Sequence, residues 1–231
     1  MNFELEPKYL AIQQEARDLA QSIEPISAEA DASSEIHPGI LSALQTSGMS
    51  NLMVATEYGG RFEQVDPFAI CLVREVFMAT SSHLDSLFAL QGIGSFAITK
   101  GGTREQRENW LPKIATAEIL PALALTEPDA GSDLKAITTE LVPSGNGYLL
   151  RGTKAFISNA GAAGYYIVFA KEEAGFSTVL VPADAPGVSS TPAPELIAPH
   201  VLGDVQFDDV ALTDAARLGE PGKGLNLVLA T

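Results

Sequence analysis

The chain has 231 residues, 46% of them hydrophobic and 19% charged, an ordinary balance for a globular protein with one large or two smaller cores. Its formal net charge of -15 and pI near 4.5 disfavour nucleic acid and anionic membrane surfaces as partners. One cysteine, Cys71, excludes a disulfide framework within the chain, and its apolar surroundings predict a small core residue.

Met1 to Tyr9 carries three charged groups and lacks the apolar stretch of a secretion signal, and no run approaches the ~18 apolar residues of a membrane span. The expectation is a cytoplasmic protein. The spacing of Leu10, Ile12, Ala16, Leu19, Ala20 and Ile23 predicts a helix over 9–23 that Pro25 stops or offsets. Pro38 opens a second helix that ends at Gly48. After the turn Glu57-Tyr58-Gly59-Gly60, Asp66 caps a third. A fourth, over 81–98, is rich in small residues (Ser86, Ala89, Gly92, Gly94, Ser95), which predicts close packing or close approach of a ligand. Thr103 with Gln106 forms a capping-box pattern for a fifth helix ending near Thr116.

Beyond Pro121 the period changes. Runs at 121–126, 148–151, 155–158, 165–170, 178–181, 187–191 and 205–207 are short and strand-like, separated by Gly, Pro and Asn clusters. The expected fold class is α+β: an N-terminal all-α helical domain (1–118), then a small antiparallel β-sandwich or barrel (119–220). Residues 221–231 begin another helix. So short a helix has little face to bury alone, which predicts a truncated chain or a partner that supplies the rest.

His37, His83 and His200 have no metal-ligand spacing, and Trp110 sits in a helical pattern as a packing residue. No P-loop, Gly-x-Ser-x-Gly, Cys-x-x-Cys or Gly-x-Gly-x-x-Gly is present. The segment Leu123 to Asp133 is the informative one. Pro128 ends strand pairing, Ala130-Gly131-Ser132 lets the backbone approach a ligand, and Ser132 or Asp133 can cap the following turn. Backbone N–H groups there suit a diphosphate; a plain polar loop is the competing reading.

Leu125-Thr126-Glu127-Pro128-Asp129-Ala130-Gly131-Ser132-Asp133 resembles the signature of the acyl-CoA dehydrogenase family, and Gly152 to Ala160 resembles its second hairpin motif. Glu57 to Gly60, Gly102-Thr103, Leu111-Pro112, Val181-Pro182, Phe207 to Val210 and Gly219 to Gly224 follow in family order. The resemblance implies FAD held between the β domain and a C-terminal helical bundle absent from this sequence. It implies Leu123, Leu125 and Thr126 at the flavin ring, Gly131 and Ser132 at the diphosphate, and Phe156, Ile157 and Ser158 flanking the ring. Ser132 is also implied at the substrate's thioester arm. The implied activity is α,β-dehydrogenation of an acyl thioester, with electrons passed to an electron-transfer flavoprotein. A homo-oligomer or a partner chain supplying the bundle is implied as well. No catalytic base is assigned within the sequence, and Glu127 is read as structural or flavin-side. Ile197 to Asp204 replaces the usual Gly-x-Arg-x-Ser-x-Thr loop, which opens acyl-carrier protein as an alternative carrier to CoA. A non-catalytic subunit, or a flavin monooxygenase or nitroalkane oxidase on the same fold, are the other readings.

Overall fold

The computed structural model describes residues 4–193 and 200–230. Five helices form the first half: α1 (Pro7–Asp31), α2 (Pro38–Ser47), α3 (Pro67–Thr80), α4 (Ser82–Gly101) and α5 (Arg104–Ala115). Their starts follow local chemistry. The Asp66 carboxylate accepts from the N–H groups of Phe68 and Ala69, the Ser81 hydroxyl from Leu84, and Thr103 and Gln106 complete the capping box. Gly48 ends α2 in the left-handed conformation, at φ 66°.

Helix α1 departs from expectation, because Pro25 lies inside it. An interior proline costs about 3 kcal/mol. Packing beyond it offsets that: Ala30 is fully buried, and Asp31 accepts from Ser81 Oγ (2.7 Å), Ser82 N (3.1 Å) and His83 N (3.0 Å) at the start of α4. Cys71 is also a correction. It is exposed, on the side of α3 that carries the exposed Phe68 and Met78, while Ala69, Leu72, Val73 and Phe77 face inward.

The second half is one mostly antiparallel sheet among the described residues. Its strands are β1 (Pro121–Ala124), β2 (Glu140–Ser144), β3 (Gly147–Ser158), β4 (Tyr165–Glu172), β5 (Gly175–Pro182), β6 (Val188–Pro192), β7 (Leu202–Leu212) and β8 (Arg217–Leu218). The order is β6-β7-β3-β2-β4-β5-β8, with β1 parallel to β4 off that path. The two runs expected at 148–151 and 155–158 are one strand, β3. Its pairing to β7 shifts between Leu150 and Gly152 and again between Lys154 and Ile157, and these bulges break the alternation into two apparent pieces. Strand β2 escaped the sequence reading because Pro143 argues against a strand. It is tolerated there because β2 meets β4 only at Glu140, leaving that edge of Pro143 without a ladder partner.

Alternation along the strands divides the sheet's two faces. Ala122, Ala124, Leu150, Ile157, Tyr166, Val168, Val205 and Phe207 pack inside the β domain. Tyr165 and Ile167 instead join the helical core, where the Trp110 ring lies 4.8 Å from that of Tyr165. Helix α4 crosses the same face. A Cβ at Gly94 would come within 2.2 Å of Pro121, and Tyr165 donates to the Gly94 carbonyl at 3.1 Å. Gly94 therefore serves close packing of helix on strand, and Gly92 close packing against Met53. A short helix, α6 (Gly224–Val228), ends the described chain.

Candidate functional site

Strand β1 runs beside the far half of β3. Ala155 N donates to Thr126 O at 2.8 Å, and the Asn159 amide donates to Pro121 O at 3.0 Å. Two sequence-predicted segments thus lie side by side: the end of β1 with the turn after it, and the bulge of β3.

Leu123, Leu125, Thr126 and Ser158 are half-buried, and Phe156 is 62% exposed. Phe156 holds φ 56°, a left-handed conformation that costs an aromatic residue about 1–2 kcal/mol. The strain turns its ring outward while Ile157 stays in the core, and the Phe156 N–H donates to Asp204 at 3.3 Å. Ile157 differs from the other predicted ring neighbours: at 2% exposure its side chain fills the sheet interior, so only its backbone can face a ligand.

The turn after β1 is fixed by an ion pair. Lys154 Nζ lies 3.0 Å from Glu127 and donates to Leu125 O at 2.9 Å, with the two side chains 0% and 3% exposed. Glu127 also accepts from Thr138 N, Thr138 Oγ1 and Thr139 N at 2.7–2.9 Å. Burial opposes its ionisation, but hydrogen bonds from Thr139 and Thr138 outweigh it and hold the carboxyl down to about 2. Burial depresses the pKa of Lys154, and Glu127 opposes that. A carboxylate so acidic and so fully engaged is a structural strut and not a proton acceptor.

The strut leaves Pro128, Asp129 and Gly131 to Asp133 exposed, while Ala130 is buried. Glu127 and Ala130 exchange backbone hydrogen bonds, and Asp133 accepts from Lys135 N, closing the turn. Gly131 and Ser132 are exposed. A Cβ at Gly131 would meet nothing within 4 Å, so packing does not demand glycine there. Among the described residues, the hydroxyls of Thr126 and Ser132 make no hydrogen bond. An open glycine in the turn after β1 and an exposed, strained aromatic on β3 are features that suit a flat ring with a phosphate tail.

Sequence reasoning missed His200. Its Nε2 lies 3.0 Å from Ser158 Oγ, and burial depresses its pKa. His83 is also held neutral, by burial, and accepts from His37 N at 3.1 Å. The contact between Ser158 and His200 spans 42 positions with no local pattern to announce it. Residues 197–199 of the divergent loop lie outside the described residues. No described helix is long and apolar enough to cross a membrane, and no described cluster of His, Cys, Asp or Glu could hold a metal ion.

Two family models match, the acyl-CoA dehydrogenase N-terminal domain over residues 6–118 and the acyl-CoA dehydrogenase middle domain over 122–210. The chain belongs to the acyl-CoA dehydrogenase family. It is 33% identical over 224 residues to cyclohexane-1-carbonyl-CoA dehydrogenase of Geobacter metallireducens, covering 94% of this chain and 58% of that protein. Butyryl-CoA dehydrogenase from Megasphaera elsdenii superposes with a TM-score of 0.91 at 26% identity, over 98% of this chain and 62% of the other. A glutaryl-CoA dehydrogenase from Mycobacterium smegmatis in complex with FADH2 does so at 0.85 and 26%, over 98% and 58%. The chain therefore spans about three-fifths of the length of these family members.

Proposed function

We propose that this chain builds part of the FAD and acyl-thioester site of an α,β-dehydrogenase acting on acyl-CoA. The observation that supports the reading is the hydrogen bond from Ala155 N to Thr126 O, which joins β3, next to the exposed Phe156, to the end of β1 that leads into the open turn at Gly131 and Ser132. Leu123, Leu125 and Phe156 offer an apolar wall to the flavin ring, and the Ile157 backbone and the Thr126 and Ser158 hydroxyls offer polar contacts at its edge. Gly131 and Ser132 take the diphosphate, and Ser132 reaches the thioester arm. FAD, when bound, takes the β-hydride of the substrate. Glu127 is excluded as the base by its strut role.

An electron-transfer flavoprotein as acceptor and a homo-oligomer or partner chain that completes the site belong to the same proposal. The test is spectroscopic. FAD-loaded protein is titrated without oxygen against acyl-CoA and, separately, acyl-carrier protein. Bleaching of the oxidised flavin with enoyl product supports dehydrogenation, and the more effective thioester names the carrier. A perturbed spectrum without bleaching marks a chain that binds but needs its base from elsewhere. An unchanged spectrum with both thioesters contradicts the reading.

A further inference from the structure

We infer that His200 is a positioning residue that sets the hydrogen-bonding direction of the Ser158 hydroxyl toward the flavin. The inference rests on the flavin reading above. Ser158 Oγ and His200 Nε2 are 3.0 Å apart, and Ser158 shares the outer face of β3 with Phe156 while Ile157 points inward. The histidine is carried to the strand by the chain entering β7: Asn159 N donates to Val201 O at 2.8 Å, and Asp204 holds the Phe156 N–H. One segment, 200–204, therefore holds the end of β3 at three points, Phe156, Ser158 and Asn159.

A serine hydroxyl has one proton and turns freely when unheld. A flavin ring presents an acceptor nitrogen when oxidised and an N–H in its place when reduced. Toward the flavin such a hydroxyl changes from donor to acceptor, and its other partner then changes from donating to it to accepting from it. Neutral imidazole does this, because Nε2 donates in one tautomer and accepts in the other. Burial keeps His200 in the neutral form that has this freedom.

The test is the midpoint potential of bound FAD in the wild type, His200→Leu and His200→Gln. His200→Leu removes the hydrogen bond. It is expected to shift the ratio of reduced to oxidised flavin about fivefold in one direction or the other, ~20 mV for a two-electron couple. His200→Gln, whose amide both donates and accepts, is expected to stay within about twofold of wild type. Equal shifts in the two variants would mean packing alone, and an unshifted His200→Leu with FAD bound would mean no link; either overturns the inference. A wild type that takes up no FAD overturns the flavin reading itself and this inference with it. If His200→Leu does not fold, Ser158→Ala decides. The imidazole nitrogen resonances of His200 in flavin-free protein should change with it, and an unchanged spectrum overturns the inference.

Discussion

Lys154 and Glu127, 27 positions apart, form a fully buried ion pair that ties the bulged half of β3 to the turn after β1. The lysine also caps the Leu125 carbonyl, so one side chain fixes both segments of the candidate site. Removing one partner leaves a buried charge uncompensated, which costs about 3–5 kcal/mol. Lys154→Met should therefore lower the urea midpoint sharply. Glu127→Gln with Lys154→Met should cost less than the sum of the single changes, because the two residues share one interaction.

Gly131 separates stability from binding. Its missing side chain faces open space, so Gly131→Ala should change unfolding free energy by no more than about 0.5 kcal/mol. FAD affinity should fall about tenfold, equivalent to ~1.4 kcal/mol, as the methyl group keeps the diphosphate from the backbone. Denaturation and flavin titration on the same preparation check both halves.

Phe156 is expected to separate the two in the same way. Glycine relieves the left-handed strain, worth about 1–2 kcal/mol, and gives back roughly 0.5–1 kcal/mol in chain entropy. Phe156→Gly should thus be as stable as wild type or slightly more so, while binding FAD more weakly for want of the aromatic wall. A clear loss of stability would show that the ring supports the fold.

Acid should weaken the protein in two stages. His83 and His200 have folded pKa values below the ordinary 6.5. The unfolded chain then takes up protons first, so stability is full above about 6.5 and declines below it until the folded values are passed. Glu127, ordinarily 4.5 and here about 2, contributes stability that is full above 4.5 and is lost as pH falls toward 2. Urea midpoints measured from neutral to acid pH should show both declines, and His200→Gln should reduce the first.

Much of this architecture was legible because it is written locally. Asp66, Ser81, Thr103 with Gln106, and Gly48 act on backbone groups within a few residues, so their spacing alone marks helix ends. The fold class and the segments at 123–133 and 156–158 were likewise readable, the segments through their family pattern. Pro25 misled because the contacts that carry α1 through it, from Ala30 and Asp31, are made with distant α4. Cys71 misled because its apolar neighbours alternate between the two sides of α3. The grip of His200 on Ser158 and of Lys154 on Glu127 are long-range relations that no spacing rule encodes. A lysine within a strand that packs into the core was the one available hint that an acidic partner lay elsewhere.

FAD titration of the purified protein, followed by flavin fluorescence, tests the central claim that the β1–β3 face is the flavin site. The account predicts saturable binding of one FAD per chain. Gly131→Ala and Phe156→Ala should weaken it, and a change at the exposed Leu10 of α1 should leave it unaltered. Absence of saturable binding, or isotherms for the Gly131 and Phe156 variants that match wild type, would contradict it.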